Sequence, residues 1–248
     1  MKKQLIFLAL TLLSISVLGQ DNTQNEDQTP TGWKFDIAPY IWTASLSADI
    51  SFLNQSVPVE ANFKDVLENL KMGFLMHAEA RKDRFFIAGD IVYLKIGKDG
   101  TIDALSLNTD LTIKETVAEL TGGYTLLESH NALYLDGFVG FRYFGIKTEI
   151  NADSQNILDK SINATDPILG LRLRTDSNKW TNSLRADIGG FGIGSEFSWK
   201  TNLLFGYKFS DSFSLHAGFQ AYGIDYEKDA FGLDMTSAGF LLGGNFKL

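Results

Sequence analysis

Charged side chains that alternate with apolar ones are the residues of this chain whose type and spacing carry chemical meaning. Glu79, Arg81, Arg84, Asp90, Glu119, Asp136, Arg142, Arg172, Arg174, Arg185, Asp187 and Lys200 fall on the polar side of a period-two pattern. In a β-strand such residues share one face, so neighbouring strands gather acids and bases on one side of a sheet. Two chemistries are open to that set. The charges can neutralise one another as a network that plugs an interior, or the arginines can draw small anions through a narrow filter. Both signs are present and interspersed, which favours the plug.

Catalysis finds thinner material. A nucleophilic Ser needs a His and an orienting acid or amide. His77 lies beside Glu79 on the presumed inner face, His130 in a turn and His216 near the start of a strand, and no Ser has a recognisable nucleophile context. There is no His-Glu-x-x-His, no Cys and no complete calcium loop. Asp99 to Asp103 and Asp225 to Asp229 read as solvated acidic loops, and Gly189 to Gly194 as a tight external turn, because no Lys-Ser/Thr and no helical pattern follows it. The sequons at Asn54 and Asn163 carry no weight. The expectation is no enzyme, no cofactor and no metal, with an acyl hydrolase as a distant third reading.

The elements that position the charges are strands. In 70 to 81, Met72, Phe74, Met76, Ala78 and Ala80 oppose Lys71, Gly73, His77, Glu79 and Arg81. In 197 to 209, Phe197, Trp199, Leu203, Phe205, Tyr207 and Phe209 oppose Ser198, Lys200, Asn202, Gly206 and Lys208. The same reading along the chain predicts ten strands, at about 33–49, 70–81, 84–96, 107–126, 131–149, 166–175, 179–191, 196–209, 212–226 and 234–248. Short connections alternate with mostly longer ones, as in an up-and-down outer-membrane barrel with periplasmic turns and external loops. The fold class expected is therefore all-β: a closed antiparallel up-and-down transmembrane β-barrel of about ten strands, within a range of eight to twelve.

A soluble sandwich also alternates, but it fills its interior with aliphatics and turns charges outward. Here the charged face mixes both signs with Gly, as suits a narrow polar lumen. Aromatics also recur near strand ends, with Trp33, Phe85, Tyr124, Trp180, Phe209 and Phe246 on one rim and Trp42, Tyr93, Tyr143, Phe197 and Phe231 toward the other. These read as interfacial girdles.

Residues 1–19 read as a signal peptide, with Lys2 and Lys3 before an apolar run from Leu5 to Leu18, and residues 20–32 as a flexible periplasmic leader to a barrel at 33–248. Removing Lys2 and Lys3 takes the formal charge from −8 to −10 (−8 − 2), which argues against a nucleic-acid partner. With no Cys, hydrogen bonding and packing alone must hold an exported fold. Asn62 can cap a short helix through Leu70, placing it in the first external loop over the barrel rim. A small hairpin precedes it, and if 47–63 instead joins the wall the count becomes twelve.

The last strand, with Phe240, Leu242, Gly244, Phe246 and Leu248 on one face, resembles the C-terminal recognition strand of outer-membrane proteins, with Leu248 replacing the usual terminal Phe. The segments Trp33 to Trp42, His77 to Arg81, Asp90 to Tyr93 and Gly140 to Tyr143 are similar to a family of small, mostly uncharacterised outer-membrane β-barrels, OmpA-like or OmpW-like in architecture. The resemblance implies an outer-membrane location and two partners, outer-membrane lipid and the barrel-assembly machinery reading Phe246 and Leu248. It implies no catalytic residue. The expected role is structural or surface-exposed, with a narrow channel for a small solute or ion as the alternative.

Overall fold

The computed structural model describes residues 32–52, 55–102, 107–129, 132–152 and 155–248. The signal segment 1–19, residues 20–31, Asn54, Asp103 and His130 lie outside them. Among the described residues, twelve strands and one helix follow in chain order: β1 (Lys34–Trp42), β2 (Ser45–Phe52), β3 (Gln55–Ala61), α1 (Phe63–Glu68), β4 (Leu70–Lys82), β5 (Phe85–Ile102), β6 (Leu107–Ser129), β7 (Leu133–Ala152), β8 (Gln155–Asp176), β9 (Trp180–Gly190), β10 (Phe197–Lys208), β11 (Phe213–Lys228) and β12 (Phe231–Lys247).

These strands make a closed antiparallel barrel of ten staves. The hydrogen-bonded order runs β1, β4, β5 and on to β12, and β1 returns to pair with β12. β1 and β2 are two halves of one stave, since both pair with β12, from Asp36–Lys247 up to Phe52–Phe231. They part at Thr43, whose N–H donates to the Phe240 carbonyl at 2.8 Å and whose Oγ1 accepts from the Phe240 N–H at 3.0 Å. Gly239 makes that junction fit, because a Cβ there would stand 2.1 Å from the Thr43 carbonyl oxygen. β3 pairs with β2 alone, so the hairpin at 47–63 adds an arm to the first stave and not a stave to the wall.

Pairing of β1 with β4 stops at Pro39–Met76, where Pro39 offers no N–H. Above that point β3 and α1 stand beside the split. The helix starts as the sequence predicts: Asp65 N–H donates to Asn62 Oδ1 and Asn62 N–H to Asp65 Oδ2, each at 3.1 Å.

Period two then fixes the faces. Val139 and Phe141 are 65 and 61 % exposed, while between them Gly140 and on either side Phe138 and Arg142 turn inward. An outward band of large apolar side chains cannot face water around a whole barrel; hydrocarbon is the solvent it fits. Its lower edge, on the side of the short turns, carries Trp33, Phe85, Tyr124, Trp180, Phe209 and Phe246, all exposed. Rings there run in contact, with Trp180–Tyr207, Tyr207–Phe209 and Phe213–Phe246 centroids 5.1, 5.0 and 5.1 Å apart. Tyr93, Tyr143 and Phe197 point outward at the upper edge. Trp42 and Phe231, expected in that girdle, face inward instead. From Phe85 to Tyr93 the wall rises roughly 20 Å at a tilt of about 40°, close to the height of a bacterial apolar band.

Several arms are longer than expected. β7 runs on to Ala152 and β8 begins at Gln155, so residues 150–152 and 155–165, predicted as a loop, extend the β7–β8 pair, and β5–β6 likewise runs to Ile102 and Leu107. Backbone pairing outside the membrane needs no apolar face, so polar composition there masked strand. On that arm Lys95, Lys114 and Lys147 sit directly opposite one another across β5, β6 and β7. Like charges so placed repel. Glu149 relieves this, 3.2 Å from Lys114 Nζ and 2.7 Å from Lys147 Nζ, and Asp159 adds a contact to Lys147 at 3.1 Å.

Hydrogen bonds from Lys147 and Lys114 hold the Glu149 carboxyl below its usual range. A folded-state pKa below the unfolded one contributes stability above the unfolded value, near 4.3, and loses it as pH falls through the folded value. Amide exchange at the tips of β6 and β7 is therefore expected to accelerate on acidification from pH 6 to pH 3, corrected for intrinsic rates, while the membrane band stays protected. Unchanged tip exchange over that range would contradict the role given to Glu149.

Candidate functional site: a two-layered lumen

Inside the barrel, cross-strand register assembles the charges in rows. His77, Asp90, Glu119 and Arg142 are successive partners across β4, β5, β6 and β7. Thr125, Asp136, Arg172 and Arg185 form a second row across β6 to β9, and Asp187, Lys200 and Tyr222 a third across β9 to β11. Arg172 opposite Arg185 would be repulsive alone. Each turns to acids reaching across the lumen.

The lower group is built on Asp136, which has no solvent exposure. Its Oδ2 accepts from Arg172 Nη2 at 2.9 Å, Arg174 Nε at 3.0 Å and Arg81 Nη2 at 3.1 Å, and its Oδ1 accepts from the Thr125 hydroxyl at 2.7 Å. Glu79 crosses to the same bases, 2.6 Å from Arg172 Nη1 and 3.0 Å from Arg81 Nη2. Both guanidinium groups also lie over the Phe86 ring, Arg81 and Arg172 at 4.6 and 4.5 Å from its centre. Two acids therefore answer three arginines.

The middle group is balanced, with Asp90, Glu119 and Asp187 against Arg142, Arg185 and Lys200. Arg142 Nε donates to Glu119 Oε1 at 2.8 Å and its Nη2 to Asp187. Arg185 Nη2 reaches Glu119 Oε2 and Asp187 Oδ2, both at 2.8 Å. Lys200 Nζ lies 3.2 Å from Glu119 and 3.4 Å from Asp90. Asp90 also accepts from the Tyr40 hydroxyl at 3.0 Å and stands 3.4 Å from His77 Nδ1.

Of the twelve charges singled out by sequence, eleven meet in these two groups. Arg84 does not: it sits in the β4–β5 turn, half-exposed, 4.0 Å from Glu128. Tyr40 and Thr125 were missed as partners. Strand register was the signal that could have found Thr125, opposite Asp136.

Above the ionic groups the interior changes character. Trp42, Val92, Leu94, Val117, Phe144, Tyr222, Ile224 and Met235 are buried in one apolar cluster. Tyr222 is its centre, its ring 5.3 Å from Trp42 and 6.0 Å from Phe144, with its hydroxyl donating to Glu115 Oε1 at 2.5 Å. Trp42 satisfies its indole N–H on the Gly239 carbonyl at 3.2 Å. The narrow polar lumen expected from the alternation thus describes only the lower and middle interior.

Two further contacts bear on chemistry. Ser214 and His216, neither paired by sequence reasoning, meet at 2.9 Å between Oγ and Nε2, but Ser214 is buried and no carboxylate hydrogen-bonds the His216 ring among the described residues. Asp166, also without exposure, takes the Ser195 N–H at 2.8 Å and its hydroxyl at 2.7 Å, fastening the β9–β10 turn to β8. Gly190 and Gly192 there have φ of 88° and 72°, the conformational role expected of that glycine cluster.

No protein-family profile and no curated protein matches the chain. Solved structures do. The outer membrane protease OmpT from Escherichia coli aligns with 92 % of this chain and 100 % of its own, at 9 % identity and a TM-score of 0.52. The translocator domain of the autotransporter NalP from Neisseria meningitidis aligns with 88 % of this chain and 90 % of its own, at 13 % identity and a TM-score of 0.46. Neisserial surface protein A covers 88 % and 99 % respectively, at 14 % identity and a TM-score of 0.34. The fold is that of bacterial outer-membrane β-barrels, and these identities carry nothing beyond the fold.

Proposed function

We propose that the protein is a sealed outer-membrane barrel, a structural or surface-exposed membrane protein whose working surface is the set of β-hairpins it holds outside the bilayer. One observation carries this reading: the interior is filled in two layers, a buried network of five acids and six bases below and an apolar cluster above. A solute path would have to break both. Ions drawn into the lower groups meet side chains already engaged with one another, three arginines sharing two acids at the bottom and a balanced set above, and hydrated ions are excluded from the apolar layer by the cost of desolvation.

On this reading the protein is not an enzyme and needs no cofactor. Its partners are outer-membrane lipid and, during biogenesis, the assembly machinery, with Phe246 and Leu248 as the terminal-strand signal. Leu248 remains tied to the first stave by its N–H on the Phe35 carbonyl at 2.9 Å.

Liposome swelling tests the proposal with solutes as small as glycerol. Proteoliposomes holding inserted barrel are expected to swell no faster than empty ones, while external protease trims only the hairpin arms. Swelling graded by solute size would instead make the protein a narrow channel.

A further inference from the structure

Two outward positions on the lower wall carry no side chain. Gly137 lies in register with Tyr124, which is opposite Phe85, and Gly122 lies in register with both Ile87 and Val139. Leu126 covers Gly137, 3.0 Å from where its Cβ would stand, so the open room lies over Gly122, in a groove of about 820 Å³ with Trp33, Phe85, Tyr124, Ile87 and Val139 among its walls. It runs from the lower aromatic rim into the apolar band. Above Gly122 the space is open, since a Cβ there would meet nothing within 4 Å. The Phe85 and Tyr124 rings, 4.7 Å apart and edge to face, hold one wall in place.

At the mouth of this groove the β4–β5 turn presents Lys82 and Asp83, adjacent, exposed and of opposite sign. We propose that the groove binds one phosphoethanolamine glycerophospholipid of the periplasmic leaflet. An acyl chain lies over Gly122 and regains the dispersion contacts that the absent side chain there forgoes. The phosphate meets the Lys82 ammonium, and the lipid's primary ammonium donates to the Asp83 carboxylate. Headgroup chemistry gives the selectivity. A phosphoglycerol lipid satisfies Lys82 but brings no cation to Asp83, and a phosphocholine lipid brings a cation with no N–H to donate. The site lies on the outer wall, so it is independent of whether the lumen conducts.

Native mass spectrometry of the full barrel, equilibrated in detergent with equal amounts of phosphatidylethanolamine, phosphatidylglycerol and phosphatidylcholine of matched chains, tests this. The wild type is expected to retain one phosphatidylethanolamine with a preference of about tenfold, equivalent to ~1.4 kcal/mol. Gly122→Leu fills the groove, and Val139→Trp fills it from the facing wall, so either folded variant suffices; both are expected to cut retention about tenfold. Lys82→Gln and Asp83→Asn should keep the lipid but lose the preference. Asn also tolerates the positive φ of 53° at position 83. Heat-modifiable migration reports folding in each case. Retention of all three lipids in proportion to supply, or unchanged retention in a folded groove-filling variant, overturns the proposal. So does a wild-type dimer that dissociates in Gly122→Leu, which would make a second barrel the occupant.

Discussion

Replacing Arg142 with Met is expected to destabilise the folded barrel by about 3–5 kcal/mol, read as a lower temperature for loss of heat-modifiable migration. Arg142 has no solvent exposure and joins Glu119, at 2.8 Å, to Asp187. Without it, three acids in the middle group face two bases, and Arg185 and Lys200 must serve Asp90, Glu119 and Asp187 between them. The loss comes chiefly from stranding a buried carboxylate and only partly from the ion pair itself. Adding Glu119→Gln to Arg142→Met should therefore recover part of the stability, a non-additivity that simple loss of packing would not produce. A single variant within about 0.5 kcal/mol of wild type would show that the network is not what holds the interior.

Trp42→Ala carries the second large effect, about 3–5 kcal/mol, because it removes the largest side chain of the apolar layer and leaves a cavity beside Tyr222. It also exposes the Gly239 carbonyl that the indole N–H satisfies at 3.2 Å. Its value lies in combination. Each layer is expected to seal alone, so Trp42→Ala and Arg142→Met should each leave a bilayer silent, and only the double variant should leak. Conductance in Trp42→Ala by itself would mean that the ionic groups do not block ions and that the apolar layer is the sole seal.

Much of this arrangement was legible because alternation fixes faces and register follows from strand ends. Asp90, Glu119 and Arg142 could be placed in one lumen from the patterns at 84–96, 107–126 and 131–149. Three things were not legible, each for a physical reason. Trp42 and Phe231 are aromatic, and an aromatic at a strand end serves a girdle or a core equally well. Parity held the answer for Trp42, since Trp33 and Trp42 differ by an odd number of residues and cannot both point outward from an unbroken strand. The upper interior reads apolar on both faces, as at Ile91 to Leu94, so alternation of charge ends there and the apolar layer leaves no period-two mark. The stretch 150–165 is rich in polar residues, because outside the membrane β8 need only pair with β7, and although Ile162 and Ala164 pack inward, composition of that kind reads as loop.

The central claim, that two stacked layers close this barrel, is tested most directly by planar-bilayer conductance of the refolded wild type, with insertion verified by heat-modifiable migration and a β-type circular dichroism spectrum. The account predicts fully inserted protein that stays silent at moderate voltage and salt. Discrete, reproducible conductance steps from that same protein would contradict it and make the lumen arginines a selectivity filter.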